Sequence, residues 1–368
     1  MSKIKVGVLF GGRSAEHEVS LVSAESVMQH LNKNKYEIVA CGIDHEGKWI
    51  TTGEPLKCLK NGRKDTRRRK ALPAIYHRDR ARSISADKVV DVIFPVLHGT
   101  YGEDGTVQGF LELANIPYIG AGVVASAIGM DKIIQKEVFK SKGLPIVNFI
   151  VFQRKQILGR LDQQVIKEIE EKIDYPCFTK PANLGSSIGV FKVHTRQELR
   201  YMIKRTAHFD CKIIVEKAVE NSREIEVAVL GNDNPEVSVC GEIIPSNEFY
   251  DYEAKYVDGK SKAIIPAKIS RKVSDEIRKV SREAYLAIDC SGMARVDFLV
   301  DGKTHKVYLN EINTIPGFTS ISMYPKLWQA SGLSYPRLLD KLIQLALERF
   351  QDKQKNETML ELESKWYQ

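Results

Sequence analysis

Two short apolar runs in the C-terminal third carry the residues best suited to chemistry. The runs Met293–Val300 and Lys306–Asn313 flank Asp301–Thr304, whose Asp-Gly step is typical of a β-hairpin turn. A turn centred near Thr304 pairs a carboxylate with a carboxylate and a guanidinium with an amide: Asp297 with Glu311, and Arg295 with Asn313. Because side chains two apart on a strand share a face, all four are predicted to project from one patch.

The predicted carboxylate pair needs a cation, since like charges directly opposite each other destabilise a strand pair. Asp297 and Glu311, with the amide of Asn313, form an all-oxygen donor set that suits Mg²⁺. Arg295 beside them suits a developing negative charge. The alternative is an ordinary surface hairpin with an ion-paired arginine and aspartate.

A loop of small residues, Asn183–Gly189, is the second candidate site. Its backbone N–H groups and two hydroxyls can hold phosphate oxygens, and its small residues would let it move as a lid that excludes water. Lys180 and Lys132 could neutralise a polyphosphate there, although each lysine alone is typical of a solvated surface.

Two further segments indicate a nucleotide. Glu216–Val219 follows the strand-like Ile213–Val215, as expected of a hinge that holds an adenine by backbone groups. The tyrosine-rich segment Phe249–Tyr256 is too polar for a core strand and too aromatic for a linker. We interpret it as a loop folding over a ligand, with a packed surface loop as the alternative.

The elements that must position these residues alternate between strand and helix along the first part of the chain. Strand-like runs at Ile4–Phe10, Tyr36–Ile43 and Val89–Leu97 predict a parallel α/β layer. A ligand is then expected at the carboxyl ends of the strands, where Gly11–Glu16 and His98–Gly105 lie. We predict an N-terminal α/β domain, a central domain, a C-terminal domain and a polar tail, with these boundaries: 1–125, 126–215, 216–350 and 351–368.

Composition excludes several classes of protein. The 368 residues are 43% hydrophobic and 28% charged, which are globular proportions. No run reaches the ~18 apolar residues of a membrane span, and the N-terminal run lacks the pattern of a signal peptide. Six cysteines without a CxxC pair suit a reduced, cytoplasmic protein better than a disulfide framework or a zinc site.

Two other interpretations need separate consideration. The net charge of +8 is concentrated in Lys57–Lys88, which holds 12 basic and 3 acidic residues. A nucleic-acid surface is possible in principle, but no aromatic residues alternate with the charges, and a solvated insertion or hairpin is favoured. Gly120–Ala125 fits the dinucleotide pattern GxGxxA, yet no acidic residue ends the following strand, so we do not expect a nicotinamide-dependent oxidoreductase.

Taken together, the motifs closely resemble the D-alanine–D-alanine ligases of the ATP-grasp superfamily, over Val6 to about Leu339. The segments that carry the resemblance occur in the family's order: Gly11–Ser20, His98–Gly105, Lys180-Pro181 with Gly185–Ser187, Tyr250–Tyr256 and Asn310–Thr319. The resemblance implies an α/β chain, α+β overall, with a three-domain ATP-grasp architecture and an N-terminal parallel-sheet domain.

The resemblance also implies roles for individual residues. Those expected in catalysis, either in the relay that closes the lid or at the oxyanion, are Glu16, Ser186, Tyr256, Arg295 and Gly317. Those expected to bind the amino-acid substrates are His98, Ser322 and Lys255, and those expected to hold metal are Asp297, Glu311 and Asn313. Those expected to bind ATP are Lys132, Lys180, Ser187, Glu216, Lys217, Val219, Glu224, Phe249 and Asn310.

The implied reaction joins two D-alanine molecules for peptidoglycan precursor synthesis. ATP would convert the first carboxylate to an acyl phosphate, and the amine of the second D-alanine would attack it. Two Mg²⁺ or Mn²⁺ ions are implied, with a monovalent cation left open. The family also implies small-molecule partners, no nucleic acid, no membrane and a homodimer. A relative that uses D-lactate or D-serine is the alternative, but the intact Lys255-Tyr256 favours D-alanine.

Overall fold

The computed structural model describes residues 2–51, 53–62, 90–159, 162–245 and 261–357. Three residues with predicted roles lie outside the described residues, namely Phe249, Lys255 and Tyr256. So do most of the basic segment Lys57–Lys88 and the last eleven residues of the chain. The described start of the basic segment ends a short helix.

The first sheet is the predicted parallel layer with one antiparallel edge strand. Its strands are β1 (Ile4–Gly11), β2 (Tyr36–Ile43), β3 (Trp49–Ile50) and β4 (Val92–Val96), in the order β3-β2-β1-β4. The helices of this segment are α1 (His17–His30), α2 (Pro55–Lys60) and α3 (Thr106–Leu113). Strand β1 pairs in parallel with β2 and β4, and its apolar residues are buried, so the loops after β1 and β4 meet at one edge of the sheet.

The second sheet is antiparallel and has the order β5-β8-β6-β7. Its strands are β5 (Phe149–Gln153), β6 (Cys177–Pro181), β7 (Phe191–Val193) and β8 (Lys212–Lys217). The helices before and around it are α4 (Val123–Met130), α5 (Lys132–Ser141), α6 (Arg154–Leu158), α7 (Asp162–Lys172) and α8 (Arg196–Thr206). The predicted small-residue loop connects β6 to β7, and helix α5 begins where the Asp131 side chain accepts two backbone N–H groups.

The third sheet is also antiparallel, with the order β12-β11-β9-β13-β14 and β10 beside β9. Its strands are β9 (Ser222–Gly231), β10 (Glu236–Val237), β11 (Gly241–Ile244), β12 (Lys262–Ile264), β13 (Gly292–Asp301) and β14 (Val307–Asn313). The helices of this segment are α9 (Arg271–Ala287), α10 (Met323–Ala330) and α11 (Tyr335–Lys353).

The predicted hairpin is confirmed, because β13 and β14 pair Asp297 with Glu311 and Arg295 with Asn313. The register shifts by one residue immediately beyond Asp297, where Phe298 pairs with Leu309. A bulge of this kind bends a strand and commonly lies next to a functional site. The register predicted from the turn therefore holds on the side of the bulge where the polar residues lie.

Two further apolar runs whose sequences predict strands, Val237–Ile244 and Ile116–Ile119, do not form continuous strands. The first is divided between β10 and β11: the Ser238 N–H still donates to the Ala228 carbonyl of β9 at 2.9 Å, but the Val239 N–H donates to the Ser331 hydroxyl at 2.9 Å. Ile116–Ile119 forms a single bridge through Tyr118 instead of a strand. The final helix continues to Lys353, three residues into the predicted polar tail.

One hydrophobic core joins the beginning and the end of the chain. Helix α11 contributes Leu338, Leu342 and Ile343 to the same buried cluster as Val6 and Phe94 of the first sheet. Packing therefore fixes the first sheet against the third, which positions the loops between them. The domain boundaries at 125 and 215 stay a prediction.

All six cysteines are free thiols. None of the described helices combines the length and apolarity that crossing a membrane requires.

Candidate active site

A cleft of about 260 Å³ lies where the three sheets meet. Nine residues with predicted roles line it: Glu16, His98, Lys132, Ser186, Arg295, Glu311, Asn313, Gly317 and Ser322. These residues come from separate parts of the chain, so the fold brings together what the sequence could only place in order.

The carboxylates of the hairpin are matched by cationic side chains. Arg295 donates to both oxygens of Asp297, at 2.7 and 2.5 Å, and also lies 3.2 Å from Glu226. The Lys132 Nζ lies 3.5 Å from a carboxylate oxygen of Glu311. These contacts show how the facing carboxylates are accommodated on neighbouring strands.

The chemistry of the donor set fits the implied metal. Asp297, Glu311 and Asn313 offer only carboxylate and amide oxygens, the ligands that Mg²⁺ and Mn²⁺ take in proteins. The Asn313 side-chain oxygen accepts the Ile315 N–H at 3.0 Å, which fixes the orientation of the amide. A second lone pair on that oxygen is available to an ion.

Glu16 connects the first sheet to the small-residue loop. The Ser186 hydroxyl donates to the Glu16 carboxylate. A Cβ at Gly185 would lie 2.7 Å from Glu16 Oε2, and one at Gly99 would lie 2.6 Å from it. The carboxylate is therefore held between two backbone segments that any larger residue would push away.

The loop itself has an unusual backbone. Ser186 and Ser187 both have positive φ values, 49° and 57°, in the left-handed region that disfavours residues with a Cβ. Conformations of this kind cluster at ligand clamps and switch regions. The Lys132 Nζ also donates to the Leu184 carbonyl at 2.7 Å, so a predicted phosphate-binding lysine holds the loop in place.

A buried polar network lies behind Glu16. His98 lies 3.4 Å from Glu103 through Nδ1 and 3.0 Å from the Ser23 hydroxyl through Nε2. Ser23 also accepts the Phe318 N–H at 3.3 Å. This network joins helix α1 and the loop after β4 to the segment that carries Gly317.

Burial is the main reason that the pKa of Glu103 rises to about 7, with His98 opposing the rise and Glu16 adding to it. For His98, burial acts against the charged form, but Glu103 and Glu16 outweigh it, so the pKa of His98 lies above its usual value. Both shifts favour the protonated forms of two groups that interact with each other and with Glu16.

The second group of predicted residues surrounds Glu216 in strand β8. Lys180 Nζ donates to one oxygen of Glu216 at 2.6 Å, and Lys136 Nζ lies 3.2 Å from the other. Lys136 also donates to the Asn310 carbonyl at 3.1 Å. Burial tends to raise the pKa of Glu216, but Lys136 and Lys180 outweigh it, so the carboxyl pKa is lowered and the group stays ionised.

The remaining predicted nucleotide contacts follow the same strand. Lys217 donates from Nζ to the Tyr175 carbonyl at 2.8 Å, and Val219 is half-buried. Burial lowers the pKa of Lys180, but Glu216 outweighs this effect, and Glu224 adds a smaller contribution to the raised pKa. At the other end of the cleft, the Ser322 hydroxyl accepts the Thr319 N–H at 3.0 Å, which fixes its position.

Sequence reasoning missed several buried polar residues of the site. The four are Ser23, Glu103, Lys136 and Glu226. A signal existed for Lys136, because it lies four residues after Lys132 and hence on the same face of helix α5. Glu103 belongs to the segment His98–Gly105, but no pattern in the sequence indicated its role. Glu226 could be connected with the site only through the pairing of β9 with β13.

Comparison with known proteins agrees with this geometry. The model described as "D-ala D-ala ligase N-terminus" matches residues 5–121, and that described as "D-ala D-ala ligase C-terminus" matches residues 138–344. The chain belongs to the D-alanine–D-alanine ligase family. The resemblance proposed from the motifs is thereby confirmed.

Individual members of the D-alanine–D-alanine ligase family match along nearly their full length. The D-alanine–D-alanine ligase of Thermoanaerobacter sp. strain X514 is 50% identical over 96% of this chain and 99% of the relative. The D-alanine–D-alanine ligase of Acetivibrio thermocellus is 47% identical over 95% of this chain and 97% of the relative.

Solved structures of this ligase family share the fold. The ligase of Coxiella burnetii superimposes with a TM-score of 0.79 at 38% identity, covering 96% of this chain and 97% of that one. The VanG D-Ala:D-Ser ligase of Enterococcus faecalis gives a TM-score of 0.80 at 38% identity, covering 94% and 100%. The predicted ATP-grasp architecture is confirmed.

Proposed function

We propose that this enzyme joins two D-alanine molecules through an acyl phosphate formed from ATP, with release of ADP and phosphate, as a step in peptidoglycan precursor synthesis. The observation that carries the proposal is the pairing of Asp297 with Glu311 beside Arg295, because Glu311 and Arg295 line the same cleft as the hydrogen-bonded pair Glu16 and Ser186. Family membership supports the use of ATP and the ligase reaction.

Activation of the first D-alanine is the step that needs ATP. A carboxylate resists attack by an amine, so phosphoryl transfer to it creates an acyl phosphate with a good leaving group. We propose that Lys132 and Lys180 neutralise and orient the phosphates, since both reach the acidic cluster around Glu311. Metal ions held by Asp297, Glu311 and Asn313 would supply charge neutralisation for the in-line transfer.

We assign adenine recognition to the C-terminal end of strand β8. Glu216, Lys217 and Val219 follow one another along the strand end, and Glu224 lies near Lys180. Phe249, Lys255 and Tyr256 lie outside the described residues. We propose that Phe249 packs against the adenine ring and that Lys255 and Tyr256 lie over the substrates. Ser187 and Asn310 complete the proposed ATP contacts.

Peptide-bond formation then places a negative charge on the carbonyl oxygen of the first D-alanine. Arg295 lines the cleft, its side chain is only 19% exposed and its guanidinium is held by Asp297, so it is preorganised to stabilise this charge. We propose that the Gly317 N–H is the second donor and that Ser322 binds the carboxylate of the second D-alanine. Removal of one oxyanion donor typically costs ~10²–10³ in rate.

Water must be kept from the acyl phosphate, because hydrolysis would waste ATP. The loop around Ser186, tied to Glu16 and Lys132, is placed to do this. Glu16 would also hold the ammonium of the first D-alanine, with His98 nearby.

The proposal also covers the metal ions, the assembly, the partners and the location of the enzyme. We propose two Mg²⁺ or Mn²⁺ ions, a homodimer by analogy with the family, and no nucleic-acid or membrane partner. A cytoplasmic enzyme fits six cysteines that are all free thiols.

The decisive experiment is a coupled assay of phosphate release from ATP with D-alanine or L-alanine. Release that requires D-alanine, with D-alanyl-D-alanine as the product, would support the proposal, whereas indifference to D-alanine would contradict it. Competition of D-alanine with D-serine and D-lactate at neutral pH, followed by product analysis, decides which second substrate is used.

A further inference from the structure

Three side chains of metal-ligating type, one buried and two exposed, meet beside the first sheet at the start of helix α1. His17 and Glu18 begin helix α1, and His45 lies in the turn between β2 and β3. One ligand atom from each can be chosen so that all lie within 4.8 Å of one another. None of the three lines the cleft described above.

His17 is already oriented as a metal ligand would be. Its side chain is buried, and its Nδ1 lies 2.8 Å from the Gly12 carbonyl, which can only accept a hydrogen bond. The Nδ1 therefore carries the proton, and the lone pair is on Nε2. Histidines that bind metals usually donate their other ring N–H to a backbone carbonyl or carboxylate in this way.

The other two ligands are exposed and close to His17. The rings of His17 and His45 stack with centroids 3.8 Å apart and an interplanar angle of 23°, and His45 Nε2 lies 3.4 Å from Glu18 Oε1. Zn–N and Zn–O bonds of about 2.0–2.2 Å in a tetrahedron place neighbouring ligand atoms about 3.3 Å apart. The His45–Glu18 separation is close to this value, and the three ligand atoms, all within 4.8 Å of one another, need approach by no more than about 1.5 Å to surround one ion.

We propose that His17, Glu18 and His45 bind a divalent transition-metal ion such as Zn²⁺, with water in the fourth position. Two imidazoles and one carboxylate select Zn²⁺, Ni²⁺ or Cu²⁺ over Mg²⁺, which prefers oxygen ligands. Glu18 supplies the negative charge that offsets the positive end of helix α1.

The ion would connect the start of helix α1 to the β2–β3 turn. His17 follows Glu16 directly, so the cross-link would restrain the segment that presents Glu16 to the cleft. An ion that binds only the folded chain raises its melting temperature in proportion to the logarithm of the ion concentration above its Kd. The inference depends on these three side chains and not on the ligase reaction.

The test uses the full chain, freed of metal by a chelator, in buffer with excess Mg²⁺ to occupy oxygen-rich sites. Calorimetric titration with ZnCl₂ is expected to show that the wild type binds one more equivalent of Zn²⁺ than His45→Ala does. If the variant still binds this Zn²⁺, its Kd should be higher than that of the wild type by about tenfold or more. Glu18→Gln should weaken the same equivalent, and Zn²⁺ should raise the Tm of the wild type more than that of either variant.

His208→Ala is the matched control, because it removes an exposed histidine from the second segment of the chain. It should bind Zn²⁺ as the wild type does. Equal Zn²⁺ affinity and stoichiometry in the wild type, His45→Ala and Glu18→Gln would overturn the proposal, as would the absence of Zn²⁺ binding by the wild type. Either result would leave the cluster as a stacked histidine pair with a surface ion pair.

Discussion

The ammonium of Lys136 lies 3.2 Å from the carboxylate of Glu216, and both side chains are almost completely buried. Glu216 has a second partner in Lys180, which is also assigned to the ATP phosphates. When Lys180 engages phosphate, Lys136 is the lysine left to neutralise Glu216. Burial lowers the pKa of Lys136, and Glu216 opposes this effect.

Lys136→Met should therefore weaken nucleotide binding more than it slows chemistry. We expect the KM for ATP to rise about tenfold or more with a smaller change in kcat, and the free energy of unfolding to fall by about 1–3 kcal/mol because a buried carboxylate loses a partner. Initial-rate kinetics and urea denaturation measure the two effects. Lys142→Met, an exposed lysine just after the same helix, is the control, and equal ATP KM values in both variants would contradict the prediction.

The pH dependence of stability should reveal the raised pKa values of Glu103 and His98. The folded protein holds a proton on Glu103 up to about pH 7, whereas an unfolded glutamate loses it near pH 4.5. The raised pKa of His98 acts in the same direction at higher pH. Because the folded state binds more protons in this window, its stability from the pair falls as pH rises from about 5 to 8.

Glu103→Gln should remove most of this slope, since glutamine mimics the protonated acid. The stability of the wild type relative to the variant is expected to fall by on the order of 1–3 kcal/mol between pH 5 and pH 8. Urea denaturation at several pH values measures it. Glu37→Gln, which changes an exposed residue of β2, is the control, and its free energy of unfolding should depend on pH as that of the wild type does. The assignment would be contradicted if the stability of the wild type relative to Glu103→Gln rose with pH.

The hairpin explains which parts of the site could be predicted from sequence. An Asp-Gly step between two apolar runs predicts the hairpin, and a turn centred near Thr304 predicts that Asp297 faces Glu311. The β-bulge beyond Asp297 could not be predicted, although it is what brings Asp297 opposite Glu311 in the structure. Parallel strands likewise place the ends of β1 and β4 at one edge. The break after Val237 could not be predicted, because it depends on a hydrogen bond to Ser331, which is distant in sequence.

Buried polar partners were harder to predict than the exposed chemistry. Lys136 and Glu226 lie within apolar-patterned elements, and only their tertiary neighbours, Glu216 and Arg295, explain why a charge is tolerated there. The resemblance to a family placed Glu16 and Ser186 in one relay, but their contact crosses two segments 170 residues apart. No local pattern contains that information.

Glu311→Gln tests the metal assignment with little change in shape. The variant keeps the size of the side chain but removes the negative charge opposite Asp297. We expect ligation to slow by about 10³-fold or more, because metal stabilisation of phosphoryl transfer is worth several kcal/mol. Phosphate release at increasing Mg²⁺ measures the loss. Glu276→Gln on the exposed face of helix α9 is the control, and wild-type rates in Glu311→Gln would remove Glu311 from the site.

Ser186→Ala tests whether the contact with Glu16 keeps the lid closed. Ser186 donates to Glu16 from a left-handed backbone position, so without this bond the loop loses the interaction that holds its tip over the cleft. Water should then reach the acyl phosphate more often than in the wild type. We expect ligation to slow by about 10–100-fold, in line with loss of a positioning contact, while phosphate release per dipeptide formed rises above one.

Simultaneous measurement of phosphate and D-alanyl-D-alanine separates uncoupling from simple slowing. Ser141→Ala is a suitable control, because that exposed hydroxyl bonds only to the Val138 carbonyl of its own helix among the described contacts. A Ser186→Ala variant that still forms one dipeptide per phosphate, at any rate, would show that closure does not depend on this hydroxyl. The lid would then be held by the backbone of the loop and by the bond from Lys132 to the Leu184 carbonyl.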